Sequence, residues 1–219
     1  MLKEIIFDMD GVLIDSVRYN FESFNQLLKK YGVNLLEGEI KKFIGMSIRD
    51  KLNLWKKEYN IKEEIDPIEF SKQAFRISLK LMKKELKPNK KILNLIDSAK
   101  KQNIKIAVAT SSTKERAEKI LELLKVKDKL DLLITAEDVE KHKPDPQIFL
   151  ETAKELNVKP KDCAVFEDAI NGIRAAKRAG MKSIAILTEF TSKKDFKNLA
   201  NLIIKDFSEI NLKRLKRLF

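Results

Sequence analysis

From residue 104 to residue 205 the chain alternates short apolar runs with stretches of helical period, and this alternation limits the fold more than any other feature. The runs IKIAVA (104–109), DLLIT (131–135), CAVFED (163–168), SIAIL (183–187) and NLIIK (201–205) read as strands. Between them, Ala117, Ile120, Leu121 and Leu124 recur at i, i+3, i+4 and i+7. Phe149, Ala153 and Leu156 share one face of 145–156, and Ala169, Ile173 and Ala176 align over 169–180, with Gly180 placed as the stop. One further apolar run, Ile5, Ile6 and Phe7, precedes them all. Strands joined through helices run parallel, and a parallel sheet must be covered on both faces. The expectation is an α/β fold: a doubly wound, Rossmann-like parallel sheet.

Residues 16–87 break the alternation. Phe21, Phe24, Leu28 and Tyr31 keep a helical period, as do Leu52, Trp55 and Tyr59, and then Phe70, Ala74, Ile77 and Leu81. No strand is legible among them. The expected organisation is a catalytic core of 1–15 and 88–219, interrupted by a small helical cap of 16–87. Ser16 reads as the N-cap of the first cap helix. With 43% hydrophobic residues the chain has ample material for a core.

The net charge of +12 raises the question of nucleic acid. The Lys-Lys pairs at 29–30, 41–42, 56–57, 83–84, 90–91, 100–101 and 193–194 are scattered, with acids between them. There is no zinc spacing, no helix-turn-helix signature, and only 7% aromatic residues for base stacking. A solvated Lys/Glu-rich surface is the simpler reading, and it would suit a heat-adapted protein. No apolar run approaches the ~18 residues of a membrane helix, and the first residues do not read as a signal peptide. The basic, amphipathic NLKRLKRLF reads as a terminal helix packed on the sheet. A single cysteine, Cys163, fits a reducing compartment and a buried filler role. The expectation is a cytoplasmic monomer that binds neither nucleic acid nor membrane.

Ligands of open parallel sheets bind beyond the carboxyl ends of the strands. In KEIIFDMDGVLIDS, Asp8 and Asp10 stand at the first such end. Thr110, Ser111 and Ser112 follow IKIAVA, Lys143 lies in the loop after DLLIT, and Glu167 and Asp168 end CAVFED. Singly, each has an ordinary reading: Thr110 as a helix-start residue, Glu167 and Asp168 as partners of a helix dipole, His142 as a loop residue. Jointly they bring acids, hydroxyls and one ammonium to one edge. Several carboxylates around one lysine call for a further cation, and Mg2+ is the hard, oxygen-seeking choice. A carboxylate held there could accept a phosphoryl group.

The stretches DMDGVLIDS, VATSS, KHKPDPQIF and VFEDAINGIRAAKRAG together resemble the four motifs of the haloacid dehalogenase-like phosphatases and phosphotransferases, in the β-phosphoglucomutase-like branch. The resemblance implies Asp8 as the nucleophile and Asp10 as general acid and then base. It implies Thr110 as the phosphate grip and Lys143 as the neutralising cation. Mg2+ would be held by Asp8, the Asp10 carbonyl, Glu167 and Asp168. Gly45 in IGMS matches a cap loop that faces the site, so Met46 and Arg49 are expected substrate contacts, with Ser111 and Ser112. Three departures stand out. Asn20 replaces the mutases' cap histidine, Ile48 stands where they have arginine with Arg49 one residue late, and Asn89 rather than glycine follows Pro88. These departures point to hydrolysis of a small phosphorylated metabolite. β-Phosphoglucomutase is the alternative, and a non-catalytic basic nucleic-acid module a lesser one.

Overall fold

The computed structural model describes residues 1–43 and 46–219; the expected substrate contact Gly45 lies outside the described residues. The chain divides into two compact units, Met1–Asp15 with Lys87–Phe219, and Ser16–Leu86. Lys87, assigned to the insertion from sequence, groups with the first unit.

The first unit is built on six parallel strands: β1 (Glu4–Phe7), β2 (Lys105–Ala109), β3 (Leu132–Ile134), β4 (Cys163–Glu167), β5 (Lys182–Ile186) and β6 (Leu202–Ile204). Their order is β3-β2-β1-β4-β5-β6. β1 sits between β2 and β4, where the winding reverses direction, and Phe7 is in register with both Val108 and Phe166. This is the Rossmann-like α/β sheet the alternation calls for. Its switch point lies at the end of β1, the place where such sheets take ligands.

The second unit contains helices α1 (Val17–Leu28), α2 (Ile40–Phe43), α3 (Ile48–Glu58) and α4 (Pro67–Glu85), and no strand among its described residues. Trp55 is fully buried, with Phe43, Phe24 and Phe70 ring centroids at 5.3, 5.7 and 6.1 Å. Such aromatic packing supplies a core from few residues. Ser47 caps α3 by accepting from the Asp50 amide at 3.1 Å, and Asp66 caps α4 ahead of Pro67. Ser16 precedes α1 but its side chain makes no capping bond, contrary to expectation. Its backbone is already helical (φ −86°, ψ −13°), whereas capping needs an extended residue that aims its oxygen back at the helix.

In the first unit, α5 (Lys90–Lys100), α6 (Lys114–Leu123), α7 (Gln147–Glu155) and α8 (Ile170–Arg178) accompany the sheet, with short α9 (Lys193–Phe196) and α10 (Leu212–Lys216). The strands alternate as pleated backbone requires. Ile6 and Val165 join Phe149 and Ala176 in one cluster, while Phe7, Phe166 and Phe207 stack together, with Phe166 5.1 Å from Phe7 and 5.3 Å from Phe207. Gly180 follows α8 with φ +74°, the left-handed turn expected of a helix stop. In α10, Leu212 and Leu215 are buried, as a packed terminal helix requires. No helix among the described residues is long and apolar enough to cross a membrane. Cys163 is buried, and its thiol donates to Glu4 Oε2 at 3.1 Å. Glu4 is itself fully buried at the start of β1, and burial pushes its pKa up to about 7. Sequence reasoning gave no warning of that carboxyl.

Candidate active site

Asp8 continues β1 by one residue, its amide donating to the Phe166 carbonyl at 2.9 Å. The residue is only 7% exposed. Lys143 reaches it from the loop ahead of α7: Nζ lies 2.5 Å from Asp8 Oδ1, 2.8 Å from Glu167 Oε1 and 3.2 Å from the Ala109 carbonyl. Three acceptors match the three donors of an ammonium. The Lys143–Pro144 peptide is cis, and Nζ stands 5.0 Å from the Phe149 ring centroid. Burial alone would lower the lysine pKa, but the charges of Asp8 and Glu167 outweigh it and hold the ammonium protonated. Burial and the neighbouring acids push Asp8 well above the usual carboxylate range, with Lys143 opposing them.

Glu167 ends β4, 1% exposed, and its second oxygen accepts from the Ala169 amide at 2.8 Å. Asp168 follows it, pushed up to about 7 by burial and then by the charge of Glu167. Asp8, Glu167 and Asp168 each offer an oxygen, all within 4.8 Å of one another. Two glycines make room for this group. A Cβ at Gly11 (φ +82°) would stand 1.9 Å from Asp168 Oδ2, and one at Gly172 would stand 1.7 Å from Glu167 Oε1. Both glycines lie in the quoted motifs, yet only the packing reveals what they do. Hard oxygens, with neither thiolate nor imidazole among them, are a donor set for Mg2+, and its charge would relieve the mutual repulsion of the acids.

The Asp10 side chain stands apart from that trio. Its Oδ1 accepts from Arg116 Nη2 at 2.7 Å and its Oδ2 from Ser112 Oγ at 2.9 Å. Thr110 is 1% exposed; its amide donates to the Ile134 carbonyl at 3.0 Å, and its hydroxyl accepts from the Ser112 amide at 3.1 Å. Ser111 is exposed. The structure therefore brings together Asp8, Lys143, Glu167 and Asp168. It also joins Asp10 to Ser112, whose hydroxyl is committed to a side chain. Arg116 escaped notice in the sequence; its only signal is its place four residues after Ser112, at the start of α6. His142 is an exposed loop residue.

In the second unit, Met46 is half-buried and Arg49 exposed. Val17, Asn20, Phe21, Phe24, Phe43 and Lys51 are among the residues around a pocket of about 150 Å³. Lys51 has no ion-pair partner among the described residues; its ammonium lies 5.2 Å from the Phe24 ring centroid, and burial lowers its pKa.

Residues 5–186 match the family model for haloacid dehalogenase-like hydrolases. A phosphorylated carbohydrates phosphatase of Thermotoga maritima is 31% identical over 183 residues, 84% of each chain. The β-phosphoglucomutase of Bacillus subtilis is 31% identical over 192 residues, 84% of this chain and 83% of that one. Among solved structures, β-phosphoglucomutase from Clostridium difficile superposes with a TM-score of 0.78 at 27% identity, covering 100% of this chain and 97% of that one.

Proposed function

Because the chain belongs to the haloacid dehalogenase-like hydrolases, acting on phosphate esters, we propose that it is a magnesium-dependent phosphatase of a small phosphorylated metabolite of the sugar-phosphate kind. The observation that carries this reading is the buried Asp8–Lys143–Glu167 array at the switch point of the sheet, with Asp168 beside it.

In this reading Asp8 attacks phosphorus, and the ester oxygen leaves with a proton from Asp10. An aspartyl-phosphate remains. Asp10 then takes a proton from water as that water attacks the phosphorus, and free phosphate departs. Lys143 offsets negative charge on Asp8 and on the incoming phosphate, and Thr110 holds the phosphate through its hydroxyl and backbone. Mg2+ would be held by Asp8, Glu167, Asp168 and the Asp10 carbonyl, where it would neutralise charge on the phosphoryl oxygens. The second unit serves as the cap that selects substrate, with Gly45, Met46 and Arg49 as contacts and Asn20 and Lys51 in its pocket; Ser111 completes the phosphate end. The protein works as a cytoplasmic monomer, without nucleic acid or membrane.

β-Phosphoglucomutase is the second reading, favoured by the likeness to the Bacillus and Clostridium enzymes. Asn20 and the displaced Arg49 favour hydrolysis, because a mutase must keep water from its phosphoenzyme. The test is phosphate release from a broad panel of phosphate esters, with Mg2+ and with chelator. Release of phosphate from small esters only with Mg2+ supports the proposal; equal rates in chelator, or no ester cleaved, contradict it.

A further inference from the structure

We propose that the pocket of the second unit holds a second anionic group of the substrate, paired with Lys51. The preferred ester then carries a carboxylate or a further phosphate besides the phosphoryl group it loses. The pocket lies wholly within that unit, among α1, α2 and α3. Phe21, Phe24, Ile40 and Phe43 are among its apolar walls, and Asn20 and Lys51 are the polar residues around it among those described. Lys51 is half-buried in the first turns of α3 and has no ion pair or hydrogen bond from its ammonium among the described residues. Ile44 and Gly45, outside that description, carry no charge. The acids nearest to it along α3 are committed elsewhere: Asp50 accepts from the Ser47 hydroxyl at 2.6 Å, and Glu58 lies 3.9 Å from Lys42.

The Phe24 ring, with its centroid 5.2 Å from the ammonium, attracts it but supplies no counter-charge. Burial lowers the lysine pKa, with no charged neighbour acting against it. A cation drawn partly out of water without an anion costs free energy, and an apolar side chain of similar length would avoid that cost. An oxyanion in the pocket removes the cost and gains a charge-assisted bond. The Asn20 amide, which makes no hydrogen bond from its side chain among the described residues, offers a second donor. A cavity of about 150 Å³ takes a group the size of a benzene ring. That is room for a carboxylate or a phosphate on a short stem, not for a whole hexose.

This rests on the reading of the second unit as the cap that selects substrate. The experiment measures kcat/KM for phosphate release with Mg2+ from two matched pairs of esters. Glycerol 3-phosphate against 3-phosphoglycerate tests the carboxylate, and fructose 6-phosphate against fructose 1,6-bisphosphate tests the second phosphate. Wild type should prefer the more acidic member of at least one pair by about 10-fold or more, and the pair that shows the preference identifies the group. Lys51→Met should erase most of that preference through a raised KM for the acidic ester, and Lys51→Arg should keep part of it. The Tm of Lys51→Met should equal or exceed that of wild type, because an uncompensated charge has gone. No preference for the acidic member in either pair, an equal loss on both members in Lys51→Met, or a lowered Tm overturns the proposal and leaves the phosphatase reading standing. If wild type cleaves none of the four esters, the reading of the protein as a phosphatase of small metabolites fails, and this proposal with it.

Discussion

Gly172→Ala sets two physical effects against each other. Gly172 lies in the first turn of α8 and is buried. Replacing a helical glycine by alanine ordinarily stabilises by about 0.5–1 kcal/mol. Here the new methyl would stand 1.7 Å from Glu167 Oε1 and 2.0 Å from its carboxyl carbon, where ordinary contact begins at 3.4 Å. The carboxylate must move by roughly 1.5 Å or more. It is not free to do so cheaply, being 1% exposed and tied to Lys143 and the Ala169 amide, both at 2.8 Å. Each charge-assisted bond is worth about 1.5–3 kcal/mol, so losing either outweighs the helical gain. A displacement of this size at a catalytic centre costs on the order of 100-fold in rate. Phosphate release and thermal unfolding of Gly172→Ala, with Gly38→Ala as control, test this; a methyl at Gly38 meets nothing within 4 Å. The expected result is a loss of at least 100-fold in kcat/KM with a lowered Tm for Gly172→Ala alone. Wild-type activity in a folded Gly172→Ala would refute the reasoning that Glu167 is held in place by that glycine.

Lys143→Met should abolish phosphate release and, measured by urea unfolding, cost about 3–5 kcal/mol, since it leaves Asp8 and Glu167 buried without their cation; a variant as stable as wild type would contradict this. Glu4, with its pKa raised from 4.5 to about 7, favours the folded state most below pH 4.5 and loses that contribution as pH rises through 7. Urea midpoints of Glu4→Gln against wild type should therefore diverge from pH 5 to pH 8, the variant gaining up to about 3 kcal/mol relative to wild type; parallel curves would count against it. With β-glucose 1-phosphate, Mg2+ and a trace of glucose 1,6-bisphosphate, free phosphate should dominate over glucose 6-phosphate. The reverse ratio would favour the mutase reading.

The sheet was legible because each strand is a short apolar run closed by polar residues, a pattern that a doubly wound core imposes on both its faces. All six strands fall within a residue or so of the runs read from sequence. The convergence of Asp8, Lys143, Glu167 and Asp168 followed from parallel strand ends alone. Three things did not. Arg116 was one basic residue among 45, and only the turn that aims it at Asp10 distinguishes it. Gly11 matters through Asp168, which is distant in sequence, and Gly172 through Glu167, five residues earlier but across the turn from β4 into α8; neither relation has a recognisable signature in the sequence. Glu4 sits in a strand whose other residues are apolar, and its burial depends on neighbours from β2 and β4. Ser16 failed as a cap because composition favours serine there while the backbone has already entered the helix.

The central claim is that Asp8 carries the phosphoryl group. The most direct measurement quenches the enzyme during turnover of a cleavable ester with Mg2+, traps the acyl phosphate with hydroxylamine and locates the modified residue by peptide mass. The account requires the label at Asp8, and neither label nor turnover in a folded Asp8→Asn. A label on another residue, or phosphate release by Asp8→Asn at a rate near wild type, would contradict it.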